Sequence, residues 1–179
     1  LNGGGKLPPF VLGVSDQGSV GLTISISNDD EVKSLEGIHS DVAQHIVTNR
    51  ATLIPTNTSS ANTLKESVYA VVSAEKLDKE GTPYARSFKM TLKSKNKNIS
   101  TDDDTMEAPV DLDSYETSAE IIDTDGNPVV LQDLVGRRWI SAECMLRCVF
   151  ISSKSFGVSR ELMKLVVEKL DDDDELLPL

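Results

Sequence analysis

Three stretches of the chain alternate between apolar and polar residues, which is the pattern of a β-strand with one buried face. The first covers residues 19–27, and its apolar face holds Val20, Leu22, Ile24 and Ile26. The second covers residues 84–95, and its apolar face holds Phe88, Met90 and Leu92. The third covers residues 139–151 and predicts a buried face of Ile140, Ala142, Cys144, Leu146, Cys148 and Phe150. Trp139 falls on the other face of this third strand, outside the predicted core.

A polar break and a second apolar run follow the third strand, and together they indicate a C-terminal β-hairpin. Ser152-Ser153-Lys154-Ser155 has the length of a hairpin loop, and Gly157 beyond it suggests a β-bulge. The return run over residues 156–169 also fits helical spacing and contains residues that favour helix. Periodicity alone therefore leaves this segment open between strand and helix.

One sizeable helix is predicted directly after the first strand. Asn28 can cap it, and Glu31 three residues later completes a capping box. Its apolar face, up to about residue 50, is formed by Leu35, Ile38, Val42 and Ile46.

The remaining sequence predicts a loop, three further short strands and a turn. The loop covers residues 55–63, and one strand covers residues 68–76. Residues 119–122 and 128–131 flank a hairpin turn at Asp125-Gly126-Asn127. Five or more strands with one helix predict a mostly β fold. An elaborated barrel fits better than a sandwich, which stays open.

Length and charge set the expected organisation of the chain. At 179 residues, one domain with a single core is the simplest arrangement. We expect this domain over residues 1–170, with an acidic mobile insertion at 101–117, and an acidic tail over residues 171–179. The net charge of −11 argues against nucleic-acid binding. However, residues 84–98 hold five bases and no acid, and residues 137–169 hold seven bases against three acids. Such segregated charge can create a local positive field.

No catalytic site, metal site or cofactor is predicted. His39 and His45 lie about 240° apart around a helix, so they cannot share a metal ion. The run from Asp123 to Asn127 resembles the start of an EF-hand loop, but Leu134 stands where the bidentate glutamate belongs.

The cysteines and the hydropathy predict an intracellular location. Cys144 and Cys148 would lie about 13 Å apart on one strand, which excludes a disulfide between them. Free thiols favour a reducing compartment. No apolar run reaches membrane-spanning length, and the N-terminal residues do not resemble a secretory leader.

The last third of the chain resembles a known hairpin ending. It has a basic-aromatic start at Gly136-Arg137-Arg138-Trp139, a Ser- and Lys-containing loop, then Phe156-Gly157-Val158-Ser159-Arg160 and a closing run before an acidic tail. This order is similar to that in the single-stranded DNA-binding proteins of T7-like phages and their relatives in large DNA viruses of eukaryotes. The resemblance implies a strand at residues 156–169 that closes an OB-fold barrel. The phage tails end in an aromatic residue, whereas this chain ends Leu176-Leu177-Pro178-Leu179.

The resemblance implies a non-enzymatic, sequence-nonspecific single-stranded DNA-binding protein that acts at a viral replication site in the host cell. Single-strand binding requires a cationic groove for phosphates and aromatic faces for bases. Phe156, at the predicted hairpin tip, fits a packing anchor equally well. The predicted nucleic-acid-binding residues are Arg86, Lys89, Lys93, Lys95, Arg137, Arg138, Trp139, Arg147, Lys154, Phe156, Arg160 and Lys164. The predicted regulatory residues of the tail are Asp171, Asp172, Asp173, Asp174 and Glu175. They would compete with DNA for the groove and, once displaced, contact replication proteins.

A structural role in a virus particle is the alternative. A β-rich, acidic chain without a predicted catalytic site suits a minor capsid-type component as well. Lysines on a strand face are most often simply solvated, and acidic tails often serve only solubility. A homodimer is compatible with the sequence, which does not fix the oligomeric state.

Overall fold

The computed structural model of the protein describes residues 1, 2, 5, 7, 12–14, 20–95, 115–151 and 155–169. The fold is mostly β, as predicted, with 40% strand and 25% helix. The strands are β1 (Leu12–Val14), β2 (Val20–Ile26), β3 (Arg86–Leu92), β4 (Glu120–Asp123), β5 (Trp139–Ile151) and β6 (Phe156–Val167). The helices are α1 (Asp29–Thr48), α2 (Arg50–Leu53) and α3 (Ala61–Glu66), and a 3₁₀ turn covers Leu131–Leu134. The predicted insertion at 101–117 lies outside the described residues except for its last three.

The strands form one sheet around β6. The order is β1-β2-β3-β6-β4, and β5 also pairs with β6. Because β5 pairs along nearly all of β6, β3 and β4 share the other edge of β6, where both run parallel to it. β2 and β3 pair antiparallel from Val20 opposite Leu92 to Ile26 opposite Arg86. The six-stranded sheet is not closed, so the barrel part of the predicted fold is not confirmed.

Helix α1 begins where its capping residue predicts. The side chain of Asn28 accepts hydrogen bonds from the backbone N–H groups of Asp30 and Glu31, at 3.0 and 3.3 Å. Glu31 does not complete the capping box, because its carboxylate accepts from the backbone N–H of Asn2 at 2.7 Å. The helix packs its apolar face inward through Val32, Leu35, Ala43 and Ile46.

The core is built on the apolar faces of β2 and β3, which are the faces that alternation predicts. The four apolar residues of β2 and the three of β3 are all almost fully buried. Leu162, Leu165 and Val167 of β6 complete this core, which settles the return segment as a strand. A second cluster joins α1, α3 and the start of β6 through Ala43, Ile46, Leu64, Val68 and Phe156.

The prediction of a strand over residues 68–76 is wrong. This segment follows α3 without regular pairing and lies between β3 and β6. Tyr69 donates its backbone N–H to the Phe156 carbonyl at 2.7 Å, and Ser73 donates to the Ser87 carbonyl at 2.8 Å. The β-branched residues that suggested a strand serve instead to bury Val71 and Val72 in the core.

The turn at Asp125-Gly126-Asn127 is confirmed, but the strand predicted after it is not. Asp123 donates its N–H to the Asn127 carbonyl at 2.9 Å, and Gly126 has a φ of 87°, which suits glycine. Beyond the turn, pairing is limited to one bridge between Pro128 and Ile122, in which the Val129 N–H donates to the Ile121 carbonyl at 3.0 Å, and the 3₁₀ turn follows at Leu131.

The predicted buried face of β5 is largely wrong. Pairing with β6 shifts register between Trp139 and Ser141, between Glu143 and Cys144, and between Leu146 and Val149. The first and third shifts place an extra residue in β5, which changes the face that the following side chains occupy, whereas the second places it in β6. Ala142 is buried as predicted, whereas Leu146 is 42% exposed and Phe150 is 40% exposed. Trp139, which we expected outside the core, is 1% exposed.

Candidate functional site

The two aromatic residues of the predicted DNA interface lie in the interior. The indole Nε1–H of Trp139 donates to the Ser25 carbonyl on β2 at 3.1 Å. Phe156 is 2% exposed and packs against Leu64 and Val68 in the second cluster. Neither ring has a free face on which a base could stack, so the prediction that they form a stacking platform is wrong.

A buried carboxylate neutralises two of the predicted cations. Glu161 on β6 is 4% exposed. It accepts from Nε and Nη2 of Arg147 on β5, the latter at 3.0 Å, and Lys93 Nζ lies 3.1 Å away. The hydrogen bonds from Arg147 are the main cause of a lowered Glu161 pKa, which keeps the carboxylate ionised. Arg147 and Lys93 therefore serve strand cohesion rather than an open cationic groove.

Two further predicted cations form ion pairs with carboxylates. Arg86 pairs with Glu36 of α1 at 2.6 Å and also donates to the Ser73 carbonyl. Lys164 of β6 pairs with Glu120 of β4 at 3.0 Å. These contacts join neighbouring elements and reduce the positive potential at the surface.

Two arginines bind backbone carbonyl groups. Arg160 lies 5.5 Å from the centroid of the Phe88 ring and donates to the Val71 carbonyl, and its burial lowers its pKa. Arg137 donates to the Asp133 carbonyl at 2.7 Å and to the Glu168 carbonyl at 3.4 Å. A carbonyl group is neutral, so these hydrogen bonds do not cancel the positive charge of either guanidinium.

Lys89 and Lys95 are exposed, and they have no ion pair within the described part of the chain. The Lys89 side chain lies over Gly21, where an added Cβ would come within 2.5 Å of the lysine Cε. A small cleft of about 200 Å³ here is lined by Val20, Gly21, Lys89, Thr91, Phe150, Val158 and Arg160. The structure thus brings together Lys89, Arg160 and an exposed aromatic ring that sequence reasoning had placed in the core.

The other predicted binding residues are not gathered at this cleft or lie outside the described chain. Arg138 is exposed at the start of β5 and already has a partner of its own. Lys154 lies outside the described residues, and so do the predicted regulatory residues 171–175.

The remaining candidate chemistry of the sequence is explained by local structure. The Asp123 carboxylate accepts from the N–H groups of Asp125 and Asn127 at 2.9 and 2.8 Å, and the Asn127 amide is the main cause of its lowered pKa. Cys144 and Cys148 are free thiols, and burial raises the pKa of Cys144 to about 11. Across the described residues, no group of three metal-binding side chains comes together.

The second half of β5 exposes a group of apolar side chains that the sequence analysis missed. They are Met145, Leu146, Val149, Phe150 and Ile151, each between 40% and 42% exposed. The signal was available, because apolar residues occupy both odd and even positions from residue 145 onward. A strand with apolar side chains on both faces is normally packed against other elements on both faces. A two-stranded hairpin alone provides no such packing on either face.

The start of β5 is paired by the N-terminal residues on the side away from β6. Leu1 and Ala142 exchange two backbone hydrogen bonds, both of 2.9 Å, and Asn2 forms an antiparallel bridge with Ser141. We call Met145, Leu146, Val149, Phe150 and Ile151 the exposed apolar group of β5.

Comparison with known proteins adds no identification. Among the described helices, none is long and apolar enough to cross a membrane. No protein-family model, curated protein or solved structure matches the chain.

Proposed function

We propose that this protein is a non-enzymatic assembly component that joins another protein subunit through the exposed apolar group of β5. The observation that carries the proposal is the presence of five exposed apolar side chains on this one segment. Exposed apolar groups that lie together mark contact surfaces. A structural component of a virus particle, which is the alternative to DNA binding in the sequence analysis, is the form of this role that we propose.

The segment that carries the exposed apolar group of β5 contains few charges. Residues 143–151 contain no lysine or proline, and their two charged residues are Glu143 and Arg147. The charge of Arg147 is already balanced by Glu161. A subunit that covers this segment would therefore bury apolar surface and desolvate little charge.

Sedimentation velocity over a range of protein concentrations tests this role. We expect the mass of the wild-type protein to increase with concentration, and the Leu146→Lys variant to remain monomeric because a charge then lies within the exposed apolar group of β5. Met163→Lys is the matched control, since Met163 is 38% exposed but lies on β6, which has strands on both sides. A wild-type protein that stays monomeric throughout, or an association unaffected by Leu146→Lys, would contradict the proposal.

Single-stranded DNA binding by an OB-fold-like barrel is a second candidate, and the cleft at Lys89 favours it. Lys89 and Arg160 provide positive charge beside the exposed ring of Phe150, which is the combination that single strands require. Leu1, Gly5 and Leu7 form backbone hydrogen bonds with residues 136–142, and β1 pairs with β2. These contacts at both edges of the sheet support a barrel-like arrangement. Residues 171–175 remain the predicted regulators, and removing residues 171–179 should tighten binding at low salt.

Titration of a labelled oligonucleotide at several salt concentrations tests the second candidate. Affinity should fall steeply as salt rises, and Lys89→Ala should reduce both the affinity and the salt dependence. Lys33→Ala is the control, because Lys33 is an exposed lysine on α1, away from the cleft. Equal effects of the two substitutions, or no binding at low salt, would rule out the cleft as a DNA site.

A further inference from the structure

Lys89 and Arg160 line one cleft, and neither pairs with a carboxylate of the described part of the chain. Four other predicted cations do pair with acids of neighbouring elements, namely Arg86, Lys93, Arg147 and Lys164. Arg160 donates instead to the neutral Val71 carbonyl, and its burial lowers its pKa. A partly buried guanidinium without a counterion is unfavourable, and an anion beside it removes that cost. The cleft is therefore suited to an anionic ligand.

The cleft lies where β3 and β6 separate. Among the described residues these two strands pair at one point, Thr91 with Glu161. Before this point residues 68–73 lie between the strands and hydrogen-bond to both of them. On the neighbouring strand β2, Gly21 has no side chain, and the Lys89 Nζ lies 3.4 Å from the position of a Cβ added there. The absence of a side chain at Gly21 thus leaves room for Lys89 at the cleft.

The donors that line the cleft match a phosphate group. Arg160 uses Nη1 for the Val71 carbonyl, which leaves the Nε and Nη2 donors of the same guanidinium for a ligand. Lys89 has three N–H donors, and Thr91 adds a hydroxyl. A phosphate group has several acceptor oxygens and a negative charge, and its charge-assisted hydrogen bonds to such donors are strong. The cleft, at about 200 Å³, is large enough to hold this group.

An exposed aromatic pair lies beside these cations. Phe150 lines the cleft, and its ring lies over Gly157 of β6, where an added Cβ would come within 2.5 Å of the ring Cζ. The ring centroids of Phe150 and Tyr69 are 6.2 Å apart, with 41° between the planes. Tyr69 is 59% exposed and Phe150 is 40% exposed. The two rings therefore present aromatic surface to solvent next to the donors for phosphate.

We infer that the cleft binds one nucleotide unit of a single strand, with its phosphate at Lys89 and Arg160 and its base on Tyr69 and Phe150. The inference rests on the second candidate function, single-strand binding, and assigns a part of the strand to each side chain. It adds Tyr69 as a base-binding residue, which the sequence analysis did not select. The two kinds of contact are separable by experiment, because phosphate contacts depend on salt and stacking adds affinity through the base alone.

Titration with a labelled thymidylate oligonucleotide and with an abasic phosphodiester strand of the same length tests the inference. The wild-type protein should bind the thymidylate strand at least about fivefold more tightly, because a base stacked on an aromatic ring adds affinity. Tyr69→Ala should lose most of this preference, whereas Tyr69→Phe, which keeps the ring, should retain it. Tyr84→Ala is the matched control, because Tyr84 is also 59% exposed and does not line the cleft.

The outcomes separate the inference from the second candidate function. Lys89→Ala should weaken binding of the two strands by the same factor and reduce the salt dependence, since it removes a phosphate contact. Equal affinity of the wild-type protein for both strands, or equal effects of Tyr69→Ala and Tyr84→Ala, overturns the base site. Binding that still depends on Lys89 would then uphold the cleft as a site for single strands. Absence of binding to either strand at low salt overturns both the inference and the second candidate.

Discussion

Arg147 and Glu161 face each other across the β5–β6 pair, and the guanidinium donates to both oxygens of the carboxylate. Lys93, at the end of β3, reaches the same carboxylate. One buried acid therefore connects three strands, and it does so with two bases that the sequence alone assigned to DNA. The role of Arg147 and Lys93 in this contact is therefore structural, whereas the sequence predicted that they bind DNA.

Glu161→Gln should lower the free energy of unfolding by about 2 kcal/mol, because charge-assisted hydrogen bonds of a buried carboxylate are lost. Urea denaturation followed by circular dichroism measures this. Glu120→Gln is the control, since its pair with Lys164 is exposed and such pairs contribute about 0–1 kcal/mol. Equal losses in the free energy of unfolding for the two variants would show that the Glu161 network stabilises the protein no more than an exposed ion pair does.

The Glu161 network also predicts acid sensitivity. Its pKa is lower in the folded protein than in the unfolded chain, mainly through Arg147. The stabilisation is therefore fully present above the unfolded-state pKa of about 4.3 and is lost as pH falls through the folded value. Unfolding midpoints measured from neutral to acid pH should fall less steeply for Glu161→Gln than for wild type. Parallel profiles would contradict this origin of the acid sensitivity.

Trp139→Ala should destabilise the protein by about 3–5 kcal/mol, because it leaves a cavity in the core. Trp139→Phe should cost less, and its cost includes the hydrogen bond to Ser25. Urea denaturation followed by circular dichroism measures both. Trp139 is the single tryptophan of the chain, so wild-type fluorescence should be blue-shifted and resistant to quenching by iodide. Ready quenching in the native protein would place the indole at the surface.

The sequence predicts the elements whose pattern is local, such as regular alternation along a strand or a capping residue at the start of a helix. Alternation locates β2 and β3 with their buried faces, and Asn28 locates the start of α1. Alternation fails for β5, because two of its register shifts insert an extra residue in this strand and no residue type marks their positions in advance. The sequence also could not show that Arg147 and Lys93 both pair with Glu161, because these residues meet only when strands distant in the sequence pair with one another.

Gly157→Ala should destabilise the hairpin by about 1–3 kcal/mol, because a Cβ at residue 157 would lie 2.5 Å from Cζ of Phe150 on the neighbouring strand. The double variant with Phe150→Ala should recover most of this loss, as the ring is no longer in the way. A double-mutant cycle by urea denaturation gives the coupling energy. Simple additivity of the two changes would contradict the contact.

The two thiols should differ in reactivity. Cys148 is exposed, whereas burial raises the pKa of Cys144 to about 11, which leaves little thiolate near pH 8. Mass spectrometry during iodoacetamide treatment should show Cys148 modified at least about tenfold faster. In urea the rates should become similar, and a difference that persists there would point to local sequence rather than burial.

The two halves of β5 differ in their surroundings. Residues 139–142 are held by the N-terminal residues and the core, whereas the apolar side chains of residues 145–151 are partly exposed to solvent. Substitutions of Trp139 and Ala142 should therefore act mainly on folding, and those of Met145, Leu146 and Val149 mainly on the proposed association. A lineage could exchange the sequence of the second half for a new specificity without rebuilding the domain that carries it.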